Sequence, residues 1–322
     1  MPGFTTHYLF GITSYKTLNH SGFKRNLKKN HAAFSLGLQG PDIFFYDVPA
    51  YLIHRSNIIA STAHCKHTGQ FLSALLESRN LFPEPEDRAI AEAYITGFIG
   101  HYTLDSTCHP YVYAISKNRK DDPSTFGAHV YLEVDIDTAL LWHYKELLPS
   151  QFYQERTICL NKKQRHVIAS ILHFCYKKTY PDFKLSYATA YAATICTPLG
   201  CAFFHDNTGQ KKALFRKLEN IYPGYAFISP LTPSDTLVFF KDALNLNHKK
   251  WKNPWDESLV STASFPELFH SAGLAYQSYL NDLSELFSLT CSVTAQKYTD
   301  TILKKLGNKS YHSGLDCERL QD

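Results

Sequence analysis

The sequence predicts an all-α protein, and three observations carry that reading. Apolar residues recur at spacings of three and four along most of the 322 residues, and runs alternating Val, Ile or Thr with polar residues are scarce. A composition that is 44% hydrophobic and 14% aromatic supplies a core large enough for helices to pack around.

In chain order the periodicity places helices at about 14–28, 31–39, 61–78, 86–108, 125–148, 162–178, 184–200, 234–246, 264–289 and 291–306. The fourth begins behind Pro83-Glu-Pro-Glu-Asp87, where acidic residues favour a helix amino end, and is expected to stop at His109-Pro110. Along it Tyr94, Phe98, His101 and Asp105 form one buried stripe, and Gly97 and Gly100 invite a second helix to approach closely. Turn-rich seams at Pro149-Ser150, Thr197-Pro-Leu-Gly200 and Ser229-Pro-Leu-Thr-Pro-Ser234 read as connectors. No internal repeat, low-complexity tract or long Gly/Ser linker interrupts the pattern, so residues 1–322 read as one domain. The chemistry-bearing residues fall within 1–140, and 150–322 reads as helical support with a C-terminal tail.

The formal charge of +4 is modest and the basic residues are scattered, as in Lys24-Arg-Asn-Leu-Lys28-Lys29, so no stable nucleic-acid partner is expected. Eight cysteines occur without a Cys-x-x-Cys pair and read as reduced, mostly buried packing residues, Cys65 and Cys108 included. The first residues lack a basic segment followed by an apolar run, and no stretch reaches a membrane-spanning length. The expectation is a cytoplasmic protein without a transmembrane segment.

Two helical stretches carry ligand-like pairs: His101-Tyr-Thr-Leu-Asp105 followed by His109, and His129-Val-Tyr-Leu-Glu133. Residues four apart share a helix face, so each pair can close on one cation, and His101, Asp105 and His109 fall within an arc of about 80° if the helix persists. Chance alone supplies about 1.4 His-x-x-x-Asp/Glu pairs in such a composition, and three occur, so context decides. The first two pairs lie in apolar patterns where an unpaired carboxylate is costly to bury. The third, His312/Asp316, lies in the turn-rich tail Asn308-Lys-Ser-Tyr-His-Ser-Gly314 and reads as solvated loop. Imidazole with carboxylate suits zinc, and an Asp can bridge two ions. Asp135, off the Glu133 face, is expected in solvent; Asp137, one turn beyond Glu133, is a candidate acceptor for a ligand histidine.

The order of these residues resembles the zinc-dependent phospholipase C proteins and their relatives, the S1/P1-type nucleases. Members carry an early histidine, an aspartate, a histidine, a His-x-x-x-Asp with another histidine close behind, and a final His-x-x-x-Glu or Asp. Here these are His7, Asp42 in Gly40-Pro-Asp-Ile-Phe-Phe, His64 in Ser61-Thr-Ala-His-Cys-Lys-His-Thr-Gly69, then His101, Asp105, His109, His129 and Glu133. His67 is a rival to His64. The remaining histidines fit no ligand spacing and default to surface or core hydrogen bonding.

The resemblance implies an all-helical fold and up to three zinc ions: one on Asp42, His64, His101 and Asp105; a second on Asp105, His7 and the amino terminus; a third on His109, His129 and Glu133. It also implies a catalytic role for Asp42 in orienting or deprotonating water. Secreted members use an amino-terminal tryptophan that this chain lacks, which leaves the Met1 or Pro2 amine for the second ion. The function implied is a phospholipase C-like phosphodiester hydrolase acting on a phospholipid. A single-strand nuclease or nucleotidase on the same scaffold is the alternative, followed by a zinc-stabilised helical binding protein without turnover. The aromatic run from Ile43 to Ile53 reads either as core or as a rim that receives lipid, a cationic head group or bases.

Overall fold

The protein's structure, a computed structural model, describes residues 3–46, 58–117, 123–183, 185–222, 224–235, 240–289 and 292–319. Its helices are α1 (Phe4–Lys16), α2 (Ser21–Lys29), α3 (His31–Gly37), α4 (Ile58–Cys65), α5 (Thr68–Glu77), α6 (Pro85–Ser116), α7 (Pro123–Lys145), α8 (Lys162–Thr179), α9 (Tyr187–Phe204), α10 (Gln210–Ile221), α11 (Phe265–Ser288) and α12 (Ser292–Leu306), besides short single turns. The all-α expectation holds among the described residues, save for one antiparallel hairpin, β1 (Trp251–Asn253) with β2 (Asp256–Ser261).

Local chemistry sets several helix starts. Pro85 opens α6 with Glu86 and Asp87 in its first turn, where the free backbone N–H groups favour negative charge. At α8, Asn161 accepts from Gln164 N while the Gln164 side chain accepts from Asn161 N; Ser264 and Glu267 repeat this box at α11.

Helix α6 is the axis around which the core is arranged. It packs against α3, α11, α8, α7 and β1. The tightest crossing is with α3, where a Cβ added at Gly97 would stand 2.1 Å from Phe34 O, so two backbones meet with no side chain between them. Buried tyrosines pin other elements to this frame through backbone carbonyls: Tyr276 OH donates to Thr96 O, Tyr102 OH to Leu306 O and Tyr111 OH to Ala243 O, at 2.7–2.8 Å. Each ring fills the core while its hydroxyl is satisfied.

Several expected boundaries move. Helix α6 does not stop at His109-Pro110 but continues to Ser116, with Pro110 inside it. A proline there withdraws one ladder bond and crowds the carbonyl four residues back; extensive burial of α6 on both sides of Pro110 outweighs that local penalty. The same holds for Pro198, so the expected connector 197–200 lies within α9. The segment 61–78 is broken at Lys66 and His67, where His67 adopts a left-handed φ of 54°. The residues near the amino terminus form α1, ahead of the expected start at 14. Helix α10 and the hairpin were not anticipated. Of the expected helix 234–246, residues 236–239 lie outside the described set, and 240–246 form turns.

Gly97→Ala should lower the unfolding free energy by about 3 kcal/mol, because the backbone clash outweighs the helix propensity gain of about 1 kcal/mol. A urea melt reads this; an unchanged midpoint would refute the close crossing.

Candidate metal centre

The eight residues singled out from sequence come from five places in the fold and meet in the core. His7 lies near the start of α1, whose first turn is fixed by Asp137: its carboxylate accepts from Thr5 N (3.1 Å), Thr6 N (2.8 Å) and Thr6 Oγ1 (2.6 Å). Asp137 therefore serves as an acceptor for backbone and hydroxyl groups, not for a ligand histidine. Asp42 sits in the 3-10 turn Gly40–Phe45, where Gly40 takes a φ of +52° and its missing Cβ leaves room for the His101 ring. His64 ends α4, His101, Asp105 and His109 share α6, and His129 and Glu133 share α7. All eight are buried.

The histidine tautomers are fixed from behind. His64 Nδ1 donates to Ala60 O (2.7 Å), His101 Nδ1 to Leu38 O (3.2 Å) and His109 Nδ1 to Tyr311 O (2.9 Å). With the proton on Nδ1, each neutral ring turns an Nε2 lone pair inward. Burial lowers the pKa of His64 and of His101, which favours that neutral form.

Those lone pairs face carboxylate oxygens. His7 Nε2 is 3.1 Å from Asp105 Oδ1, His101 Nε2 is 3.1 Å from Asp105 Oδ2, and His64 Nε2 is 3.0 Å from Asp42 Oδ1 and 3.8 Å from Asp105 Oδ2. On the other side, Glu133 Oε1 is 2.8 Å from His129 Nε2 and 3.7 Å from His109 Nε2. Both oxygens of Asp105, Asp42 Oδ1 and the Nε2 atoms of His7, His64, His101 and His109 are buried without a hydrogen bond. Acceptors pressed against acceptors in a core are unfavourable unless something positive lies between them. Two ligands about 2.0–2.1 Å from one tetrahedral ion stand roughly 3.3 Å apart, which matches these separations. The residues therefore fit zinc.

Three sets of ligand atoms close enough for one ion are present: His7, His101 and Asp105; Asp42, His64 and His101; and His109, His129 and Glu133. Asp105 is the shared member of the cluster, with Oδ1 toward His7 and Oδ2 toward His101 and His64. Burial drives the Asp42 pKa well above the usual carboxylate range. His67 is exposed and does not reach the centre, whereas His64 does. Met1 and Pro2 lie outside the described residues, as does 47–53 of the aromatic run; of the remainder, Ile43 and Phe44 are core, and exposed Phe45 lies 6.1 Å from the His64 ring.

Two expectations about surroundings are corrected. Asp135 is buried, accepting from Phe240 N at 2.7 Å, because α7 is covered on that face as well. The tail is not solvated loop: Ser310, Tyr311 and Ser313 are buried, Tyr311 N donates to His64 O (2.9 Å), and the His312 ring stacks on His64 with centroids 5.2 Å apart. His312 thus joins the centre without Asp316, which is exposed. Sequence reasoning missed it because its spacing to every other site residue is long; the one available signal was Tyr311-His312, an aromatic pair out of place in a solvated turn. Burial, followed by the neighbouring His64, lowers the His312 pKa well below its ordinary value.

A helical scaffold enclosing a histidine and carboxylate cluster of this kind defines a candidate metallohydrolase. Residues 6–196 match the family described as zinc dependent phospholipase C, and the chain belongs to that family. The match spans every one of the eight residues from His7 to Glu133. No curated protein and no solved structure matches the chain. Family and ligand sets together support a zinc phosphodiesterase at the level of the family. No helix among the described residues is long and apolar enough to cross a membrane.

Asp105→Asn should release more than one zinc equivalent, measured by elemental analysis of the purified protein; loss of one or none would contradict a shared carboxylate. A pH effect follows from Asp137, whose pKa burial raises to about 6, above an unfolded value near 3.9. Its contribution is complete below about pH 4 and is lost as pH rises through about 6. In metal-free protein, the stability of wild type relative to Asp137→Asn should therefore fall over that window, as followed by urea melts, and a flat difference would refute it.

Proposed function

We propose that this chain is a zinc-dependent phosphodiester hydrolase, phospholipase C-like, that cleaves a phospholipid on the diacylglycerol side of its phosphate. The observation that carries the reading is Asp105, a fully buried carboxylate whose two oxygens face separate histidines, Oδ1 toward His7 and Oδ2 toward His101. Asp42, His64, His101 and Asp105 would hold one zinc, Asp105 and His7 with the amino terminus a second, and His109, His129 and Glu133 a third. When bound, zinc supplies charge that acidifies water toward neutral pH and polarises phosphoryl oxygens.

The chain's own residues do the rest. The backbone carbonyls of Ala60, Leu38 and Tyr311 keep the imidazoles in the tautomer that turns Nε2 inward. Asp42, which bound zinc would hold in its ionised form, orients the attacking water and takes its proton at a carboxylate oxygen. Water adds to phosphorus, the bond from phosphorus to the glycerol oxygen breaks, and that oxygen takes the proton back from Asp42 and leaves as diacylglycerol, while the head group departs as a phosphomonoester. Burial of the cluster within α1, α4, α6 and α7 excludes competing solvent.

Two further parts of the reading rest on packing and thiol chemistry. The chain acts as one domain, since α11 packs on α6 and the tail after α12 does so too, Lys309 N donating to Tyr102 Oη and Gly314 lying against Ser106 O. It works in the cytoplasm, supported by the absence of any disulfide among the described cysteines.

The test is zinc-loaded protein assayed on phosphatidylcholine and on single-stranded DNA, with and without chelator. Lipid turnover that the chelator abolishes, and that Asp42→Asn lowers by about 10²-fold or more, is the expected result. Turnover of DNA alone would favour the nuclease alternative, and zinc without turnover of either would favour a binding protein.

A further inference from the structure

The tail that follows α12 is a closed, anchored loop. Asn308 Oδ1 accepts from Gly69 N (2.9 Å), Cys317 N donates to Asn308 O (2.8 Å), Ser310 N donates to Leu315 O (2.8 Å), and Asn253 Nδ2 in β1 donates to Ser313 O (2.8 Å). Gly314, at a φ of +67°, lies so close to α6 that an added Cβ would stand 2.5 Å from Ser106 O, the carbonyl that Pro110 deprives of its ladder donor. The loop thus presents Tyr311 and His312 in a fixed place.

Tyr311 reaches the cluster through its backbone, bonding His64 O and the His109 ring. His312 reaches it through its side chain. Its ring stacks on His64 (5.2 Å, 21°), meets His109 edge-on at 5.6 Å, and lies 5.3 Å from the Tyr113 ring. It therefore touches one residue from the Asp42 set and one from the Glu133 set, the two ends of the centre. It belongs to none of the three sets that close on an ion among the described residues. His312 as a residue is half-buried, so part of its surface is open to a ligand. Its Nδ1 is engaged by Cys65 Sγ at 3.3 Å, which leaves Nε2 as the nitrogen available. Either partner of that contact can donate; with the thiol as donor, the neutral imidazole carries its proton on Nε2, the form that donates to an anion.

We propose that His312 is a phosphate-binding residue of this centre, donating a hydrogen bond from Nε2 to a non-bridging oxygen of a phosphate lying between the His64 and His109 ends. The inference rests on the hydrolase reading and adds to it a side chain outside the span that matches the family. An imidazole in that place grips the part common to every phosphodiester, while Tyr113 and the exposed Trp255, whose rings are 4.8 Å apart, stand beside it.

The test uses the zinc-loaded full chain, with inorganic phosphate as the probe, titrated calorimetrically against wild type, His312→Ala and His312→Gln. Zinc content and thermal midpoint should be the same in all three. Phosphate affinity should fall about tenfold in His312→Ala, as expected for losing one hydrogen bond to a charged group, and recover in part in His312→Gln, which keeps a donor. Equal phosphate affinity in His312→Ala and wild type overturns the inference and leaves the hydrolase reading standing. Loss of zinc in both variants also overturns it, since the ring would then be supporting the ligands. A wild-type chain that takes up no zinc overturns both.

Discussion

The constraint on which this structure depends is the burial of acceptors against acceptors. Asp105 Oδ2 faces Nε2 of His101 and His64, and Glu133 Oε1 faces Nε2 of His109, and those lone pairs point at carboxylate oxygens because the far nitrogen of each of the three rings is committed to a backbone carbonyl. Without a cation this arrangement would lose the hydration of a carboxylate and gain repulsion in return. The packing that holds it together is accordingly extensive. Tight backbone crossings, buried tyrosines tied to carbonyls and a proline tolerated inside a long helix all belong to the same frame.

Helix α6 converts that constraint into architecture. It brings His101, Asp105 and His109 on successive turns, and its continuation past Pro110 carries Tyr113 and Ser116 alongside α7, where His129 lies. A helix ending at His109 would have left the third ligand set without a wall. The carbonyl that Pro110 releases is covered by Gly314 of the tail, so an interruption in the helical ladder becomes the place where the last segment of the chain is seated.

What was legible in the sequence follows the range of the interaction. His101 with Asp105, and His129 with Glu133, were readable from composition and spacing because helical periodicity alone puts each pair on one face. His7, Asp42 and His64 were readable only through resemblance, since nothing local links α1, a 3-10 turn and α4. For Asp137 the spacing predicts the neighbourhood but not the partner: four residues from Glu133, it accepts from the first turn of α1, a contact spanning more than a hundred residues. The turn residues around His312 predict a solvated position for it. Turn residues describe backbone conformation, however, and here the turn is buried. The hairpin escaped notice because β1 has only three residues, and α6 and α9 were cut short because proline is a local argument that burial can override.

The division of work along the chain explains why the family match can end at residue 196 while the centre does not. The ligands must be fixed relative to one another, and that is settled by α1, α4, α6 and α7. Their orientation, by contrast, is set by whatever supplies the outer hydrogen bonds, and for His109 that acceptor is Tyr311 O. A backbone carbonyl carries no side-chain identity, so many tail sequences can supply it provided the loop is held in register. Here Asn308, Asn253 and Gly314 hold it. A segment free to vary in sequence yet fixed against the cluster is well placed to differ in what it presents to the substrate, and in this chain what it presents is His312.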